Sequence, residues 1–305
     1  MKKLVGLPLL IAVLGAASPN PSALREQEIS VPGFADFLAI DGDTVWVTNS
    51  GRVEQWSTAG KKASVNVPRP CGAMTVAFGS LWVANCKDGD VYRIDPKTSQ
   101  ILAKIPVGLG PRGELNVVAG AGSIWAPSET QGKVSRIDPK TNAVVATVEV
   151  APSTSYLSFG FGALWAASGK NQTLQRVDPK INAVTKTITI GKMPGFLVAG
   201  EGAVWIQEQG DGTLARIDPA KVEVTGRVKV GANLKFGDID AGGGKIWLRT
   251  TDDQTFAVID PKKMEVVLRA GKAAGSGALR YTPKGIWTSA HDVHTLSWWS
   301  DKPAK

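Results

Sequence analysis

Residues 79–96 read GSLWVANCKDGDVYRIDP. A short run carrying a tryptophan, Leu81 to Cys86, leads through polar turn residues into a second short run, Val91 to Ile94, and then an Asp-Pro pair. Runs of this length bounded by turn residues read as β-strands. The same local context surrounds Trp46 (DTVWVTN), Trp125 (GSIWAPS), Trp165 (GALWAAS), Trp205 (GAVWIQE), Trp247 (GKIWLRT) and Trp287 (KGIWTSA), at steps of 36, 43, 40, 40, 42 and 40 residues. A period near 40 built from short strands is the signature of a propeller blade. Helical repeats of similar length need long segments of 3.6-residue periodicity, and the chain has none. The reading is an all-β, seven-bladed β-propeller of four-stranded antiparallel blades.

Within the second unit, Gly72 to Phe78 is expected as strand A, Gly79-Ser80 as the turn, Leu81 to Cys86 as strand B, Val91 to Ile94 as C and Ile101 to Val107 as D. The C-to-D connection is the Asp-Pro pair repeated at 95–96, 138–139, 178–179, 218–219 and 260–261. Proline presets φ at the second turn position and the aspartate accepts a local backbone hydrogen bond, so turn chemistry outweighs a catalytic reading. The tryptophans are expected to fill the wedge between neighbouring sheets rather than to form a ligand cage. Eight residues before each stands an apolar partner: Leu38, Met74, Val117, Leu157, Leu197, Ile239 or Leu279.

The last unit supplies strands A to C and then ends, whereas Glu26 to Val31 stands ahead of the first unit without a partner. Pairing the two closes the ring and removes two exposed sheet edges. The expected organisation is a signal peptide over residues 1–18 and one propeller over 19–305, with a closing strand near 26–32 and a tail at 299–305. The leader rests on Lys2 and Lys3, the apolar run Leu4 to Val13 and the small residues that follow. That run is too short to span a bilayer. A periplasmic or secreted protein without a membrane span follows, expected as a monomer.

The chain has 35 Lys and Arg against 27 Asp and Glu; without Lys2 and Lys3 the net charge is +6. The positive charge is dispersed and the compartment is extracytoplasmic, so no nucleic-acid partner is expected. The only cysteines, Cys71 and Cys86, are expected to form a disulfide in an oxidising compartment. The expected turn leaves Cys71 two residues past the position opposite Cys86, a gap that a bulge or slipped register must close.

Ligand sites on propellers are built where D-to-A and B-to-C connections converge. Those segments nominate Arg69, Arg112, Glu114, Tyr156, Lys170, Glu208, Arg249 and His291 as a polar, Arg/Lys-rich face for a small-molecule, carbohydrate or protein ligand. His291 and His294 with Asp292 are too few for a metal site without a further ligand, so neither metal nor cofactor is expected. On the opposite face Lys97, Lys140, Lys180, Lys221 and Lys262 flank the Asp-Pro turns. They read as solubilising tips, with contact to an anionic envelope surface as the alternative. Seven residues before each tryptophan the inner strands carry Asp240 and Arg280 in neighbouring blades. Arg280 is expected to pair with Asp240 or with Asp238.

The G-x-[LIV]-W motif followed by Arg-[Ile/Val]-Asp-Pro, at 93–96, 136–139, 176–179 and 216–219, resembles the extracytoplasmic YVTN and virginiamycin B lyase-like propellers over all seven blades. The lyase, as the resemblance implies, opens a cyclic ester by elimination with His and Glu residues and bound magnesium. The chain departs from that pattern: Trp125 is followed by Ala126-Pro127-Ser128, and Gly110-Pro111-Arg112-Gly113 has arginine in the histidine place. The expected function is therefore an exported binding or scaffold propeller with no catalytic residue assigned; a divergent lyase or hydrolase acting on a cyclic ester is the alternative.

Overall fold

The computed structural model describes residues 19–110, 114–128, 130–250 and 254–301; the signal peptide expected over 1–18 and the nominated Arg112 lie outside them. Seven four-stranded antiparallel sheets form the blades. Blade four illustrates the order from inside outward: Thr154–Gly160, Ala163–Ser168, Thr173–Asp178 and Ala183–Thr189, strands A to D. Among the described residues no helix is long and apolar enough to cross a membrane.

The core is divided into seven interblade clusters, each built on one tryptophan of the repeat. Trp46 packs with Met74, Leu81 and Ile94 of blade two, Trp165 with Leu197, Ile206 and Ile217 of blade five, and Trp287 with Leu38, Val45 and Trp56 of blade one. The apolar position eight residues before each tryptophan thus meets the tryptophan of the preceding blade. These seven indoles are at most 2% exposed. Burial would orphan the indole N–H, and in five blades it donates to a strand A carbonyl five residues earlier: Ala77, Gly120, Gly160, Gly200 or Gly242, at 3.0–3.1 Å.

The Asp-Pro turns behave as expected. Asp95, Asp138, Asp178, Asp218 and Asp260 each accept from the backbone N–H two residues on, at 2.8–2.9 Å. The arginine of the same motif does more than decorate a strand. Arg93 lies over the Trp82 ring, donates from Nε to Ser80 Oγ at 2.9 Å, and reaches across to Pro139 O and Asn142 Oδ1 of blade three at 2.6 and 2.9 Å. Arg136 repeats this with Ser123, Pro179 and Asn182 of blade four. The motif is an interblade clasp.

The ring closes as expected. Arg25–Ser30 pairs antiparallel with Thr295–Ser300, the strand C of blade seven, from Arg25↔Ser300 to Ser30↔Thr295. Asn20 N donates to Asp301 Oδ2 at 2.7 Å, so the two ends of the described chain meet.

Cys71 and Cys86 are bonded, with Cα atoms 5.9 Å apart. The turn beside them differs from the expected one: Ala77 pairs with Ser80, so Phe78-Gly79 and not Gly79-Ser80 makes the turn. Both residues have positive φ, 51° and 70°, the twist that joins two strands without splaying them. The corrected register puts Thr75 opposite Trp82, and beside the cysteines it has slipped by two residues, with Cys71 N–H bonded to Ala84 O and Cys86 N–H to Arg69 O. Strand A does leave strand B in between, because Gly72–Ala73 pairs in parallel with Leu115–Asn116 of blade three, and it rejoins where Pro70 bridges Asn85. Gly72 makes that excursion possible: its φ is +126°, and a Cβ there would lie 1.8 Å from the Leu115 carbonyl oxygen.

Candidate functional site: the axial mouth of the loop face

Strand A lines the axis, and alternation decides which of its residues face the channel. Position −8 from the tryptophan enters the interblade core, so −9 and −7 share the other side. Position −9 reads Phe37, Ala73, Asn116, Tyr156, Phe196, Asp238 and Ala278. The Phe37 and Phe196 ring centroids are 5.9 Å apart, and Tyr156 lies 4.4 Å from Phe196. Blades one and five are not neighbours, so this contact crosses the axis and the three rings floor the channel.

Blades two and three share a short parallel ladder between their innermost strands, and elsewhere side chains at −9 and −7 bridge adjacent inner strands. Asn116 Nδ2 donates to Leu157 O at 3.3 Å, and Ser158 Oγ accepts from Ala199 N at 3.0 Å. Asp238 Oδ2 accepts from Leu279 N at 3.2 Å and from Arg280 Nη1 at 2.5 Å, while Asp240 Oδ2 accepts from Tyr281 N at 2.8 Å. The expected interblade ion pair is present, with Asp238 as its carboxylate.

Carboxyl groups gather at the loop-face mouth above this floor. Asp36 precedes Phe37, and its carbonyl accepts the Ser289 hydroxyl. Glu114 Oε2 accepts from Tyr156 Oη at 3.4 Å, and Asp292 Oδ2 accepts from Ser276 N at 2.6 Å. Arg249 lies among them, 1% exposed, donating from Nε to Ser289 O at 3.1 Å and from Nη1 to Thr255 O at 3.0 Å and to Thr250 O. Its Nη2 has no hydrogen-bond partner among the described residues.

Electrostatics follow from this crowding. Burial pushes the Asp36 carboxyl up to about 8, reinforced by Glu114, Asp238 and Asp292 and opposed by Arg249. Glu114 presents surface to water yet is walled in by neighbouring atoms; that burial raises it, Asp238 adds to the rise, and the Tyr156 hydroxyl opposes it. Burial lowers Arg249 to about 10 although Asp36, Asp292 and Asp238 pull the other way. The site therefore holds carboxyls that ionise reluctantly beside a buried guanidinium, a set able both to donate to and to accept from a polar ligand.

Of the residues nominated from sequence, the fold brings Glu114, Tyr156 and Arg249 into this mouth and sets His291 beside it. His291 stacks on Phe34 at 3.9 Å and its Nδ1 lies 3.1 Å from Asp292 Oδ1; burial lowers its pKa. Arg69 and Lys170 are exposed on peripheral loops. Glu208 is fully buried and turned outward to strand D, where Arg227 clamps it from Nε at 2.8 Å and Nη2 at 2.9 Å. Burial alone would raise this carboxyl, but Arg227, Thr213 and the Gly191 amide lower it. Glu208 occupies the third position after the tryptophan, where Asn49, Asn85 and Ser168 likewise pin the D-to-A connection through Phe34, Arg69 and Pro152. Asp36, Phe37 and Phe196 were not singled out from sequence, although the −9 and −10 columns carry the signal. Among the described residues no group of three or more His, Cys, Asp or Glu is placed to hold a metal ion; His294 Nδ1 is instead 2.7 Å from Gly33 O.

Residues 32–171, the first three blades and the inner half of the fourth, match a family described as a repeat of unknown function (DUF6923). No curated protein sequence matches the chain. Among solved structures, virginiamycin B lyase from Staphylococcus aureus superimposes with a TM-score of 0.78 at 17% identity, covering 91% of this chain and 99% of that one. A streptogramin B lyase gives 0.78 at 13% identity over 91% and 97%. A chain of a mitotic checkpoint complex gives 0.75 at 13% identity over 98% and 96%. Enzymes and a component of a protein assembly thus share this architecture, and at such identities the likeness speaks for fold and not for chemistry. The chain is a seven-bladed β-propeller with the architecture of the virginiamycin B lyases.

Proposed function

We propose that this chain is an exported binding propeller that takes a hydroxyl-rich small molecule, a saccharide in the first instance, at the axial mouth of its loop face. One observation carries the reading: Asp36 and Asp238, from blades one and six, converge on buried Arg249, with Glu114 of blade three beside both carboxyls, over a floor of Phe37, Tyr156 and Phe196. Carboxyl groups bind vicinal hydroxyls, and aromatic rings cover the apolar faces of sugar rings. Exposed Phe34, Met193 and Phe236 add apolar surface to the same loops. The Cys71–Cys86 bond agrees with an oxidising compartment.

Isothermal calorimetry against envelope-derived saccharides, with and without magnesium, tests the proposal. Saturable, magnesium-independent binding is expected, weakened about tenfold by Glu114→Gln, the loss of one charged hydrogen bond. Binding indifferent to Glu114→Gln and Asp36→Ala would place the ligand elsewhere. Magnesium-dependent turnover of a cyclic ester would replace the binding role with that of a lyase.

A further inference from the structure

The clasp that joins blades two to three and three to four is dismantled between blades five and six. Arg216 of blade five occupies the place of Arg93 and Arg136 and lies over Trp205 in the same way. Both of its side-chain acceptors are gone. The serine that receives Nε, Ser80 or Ser123, is Ala203, and the asparagine that receives Nη1, Asn142 or Asn182, is Met264. Arg216 Nη1 turns to Thr225 Oγ1 within its own blade at 3.1 Å, and Nε is buried without a partner among the described residues. An unpaired buried donor destabilises the fold, because it has given up its hydrogen bond to water and gained none in return.

Met264 adds a second cost. The last position of the Asp-Pro turn is left-handed in every such blade, and Met264 holds it at φ 57° where asparagine is the residue suited to it. Its methyl group packs over Gly226, the cross-strand partner of Arg216. The opening left behind is a cleft of about 480 Å³ on the turn face, lined by Glu201, Arg216, Gly244, Pro261, Lys262 and Met264. Blade four has also lost both acceptors, to Ala163 and Val222, but there Lys186 Nζ reaches across to Lys221 O and spans the junction. The open cleft is lined by the Arg216 guanidinium, whose own Nε stays buried and unpaired behind it, by a lysine and by an apolar wall, on the face opposite the axial mouth. Sites that keep unpaired donors and strained backbone at a stability cost are characteristic of ligand binding.

We propose that this cleft binds a small organic monocarboxylate, with the carboxylate on Arg216, its charge complemented by Lys262 and its apolar part against Met264 and Pro261. The planar edge of a guanidinium matches a carboxylate in two parallel hydrogen bonds. Glu201, held to Gly244 N at 3.0 Å on the rim, disfavours a doubly charged phosphate and offers an acceptor to an amide or hydroxyl of the ligand.

N-acetyl-L-leucine is a suitable probe, with its neutral amide N-acetyl-L-leucinamide and inorganic phosphate as comparators. In NMR titrations of the protein, N-acetyl-L-leucine is expected to shift the Arg216 Nε–H and Met264 methyl resonances saturably, and the amide and phosphate to bind at least about tenfold more weakly. The double substitution Ala203→Ser/Met264→Asn, which rebuilds the clasp of blades two and three, is expected to abolish the ligand-induced shift of Arg216 Nε–H while keeping or raising the melting temperature. Arg216→Gln should abolish the shift of the Met264 methyl. Absence of saturation by N-acetyl-L-leucine, equal binding of the amide, tighter binding of phosphate, or undiminished binding in the folded double variant would each overturn the proposal.

Discussion

A carboxyl at position 36 is reluctant to ionise because burial withdraws it from water and Glu114, Asp238 and Asp292 surround it, with Arg249 only partly compensating. Its ordinary value of 3.8 rises to about 8 in the folded state. Between those values the folded chain holds a proton that the unfolded chain releases, so this group's contribution to stability is greatest below pH 3.8 and is lost as pH rises towards 8. Asp36→Asn copies the protonated form. In urea unfolding followed from pH 5 to 9, the variant is expected to gain stability relative to the parent as pH rises, and to be the more stable protein at pH 9. Parallel curves for the two proteins would contradict the placement of Asp36. Glu208 shows the opposite outcome for a buried acid: with Arg227 at 2.8 Å its charge is retained, and its role is to pin a connection.

Among the elements, the hairpin from strand A to strand B of blade two decides how the disulfide is made. Moving the turn to Phe78-Gly79 shifts the partners beside it by two residues, and the excursion of Gly72–Ala73 to blade three slips the register again, so that Cys86 faces Arg69 and the disulfide joins it diagonally to Cys71. A turn whose two residues both take positive φ was not legible in Phe-Gly-Ser, because φ > 0 is costly for phenylalanine and Gly-Ser offered a more usual pair. The bond closes a loop of 15 residues, for which the entropic stabilisation is about 3 kcal/mol. Cys71→Ser/Cys86→Ser is expected to lower the stability measured by urea unfolding by no more than that, with local exchange rising around Arg69 and Asn85. An unchanged transition midpoint would show that the loop is already held by its backbone bonds, Cys71 N to Ala84 O and Cys86 N to Arg69 O.

At the scale of the whole molecule, stability depends on closing a ring of seven interfaces. The last is made by Trp287 against blade one and by Arg25–Ser30 on the edge of Thr295–Ser300. Because Asn20 and Asp301 touch, the chain can be joined there and opened elsewhere. A circular permutant linked across these ends and opened at Lys170-Asn171, an exposed B-to-C turn, is expected to fold with a melting temperature close to that of the parent. A permutant that does not fold would show that the native order of blades, and not closure alone, is required.

Periodicity was enough for architecture. Seven tryptophans in one context, five Asp-Pro turns, an unpartnered strand ahead of the first unit and a last unit lacking its fourth strand have one solution in which every apolar column is buried and every blade has four strands. The cysteine pair and the Arg280 ion pair were legible for a related reason, since a buried charge needs a partner and the two cysteines had only each other. The axial mouth was not legible in the same way. Phe37 and Phe196 are 159 residues apart, and nothing local says that they meet across the axis. Loop membership alone could not separate Glu208, turned outward to Arg227, from Glu114, turned inward to Tyr156. The repeat determined by itself which residues share a column and a blade. Which columns face each other across the channel, and so which acids lose water together, was decided only when the ring closed, because desolvation and charge coupling depend on distance in space.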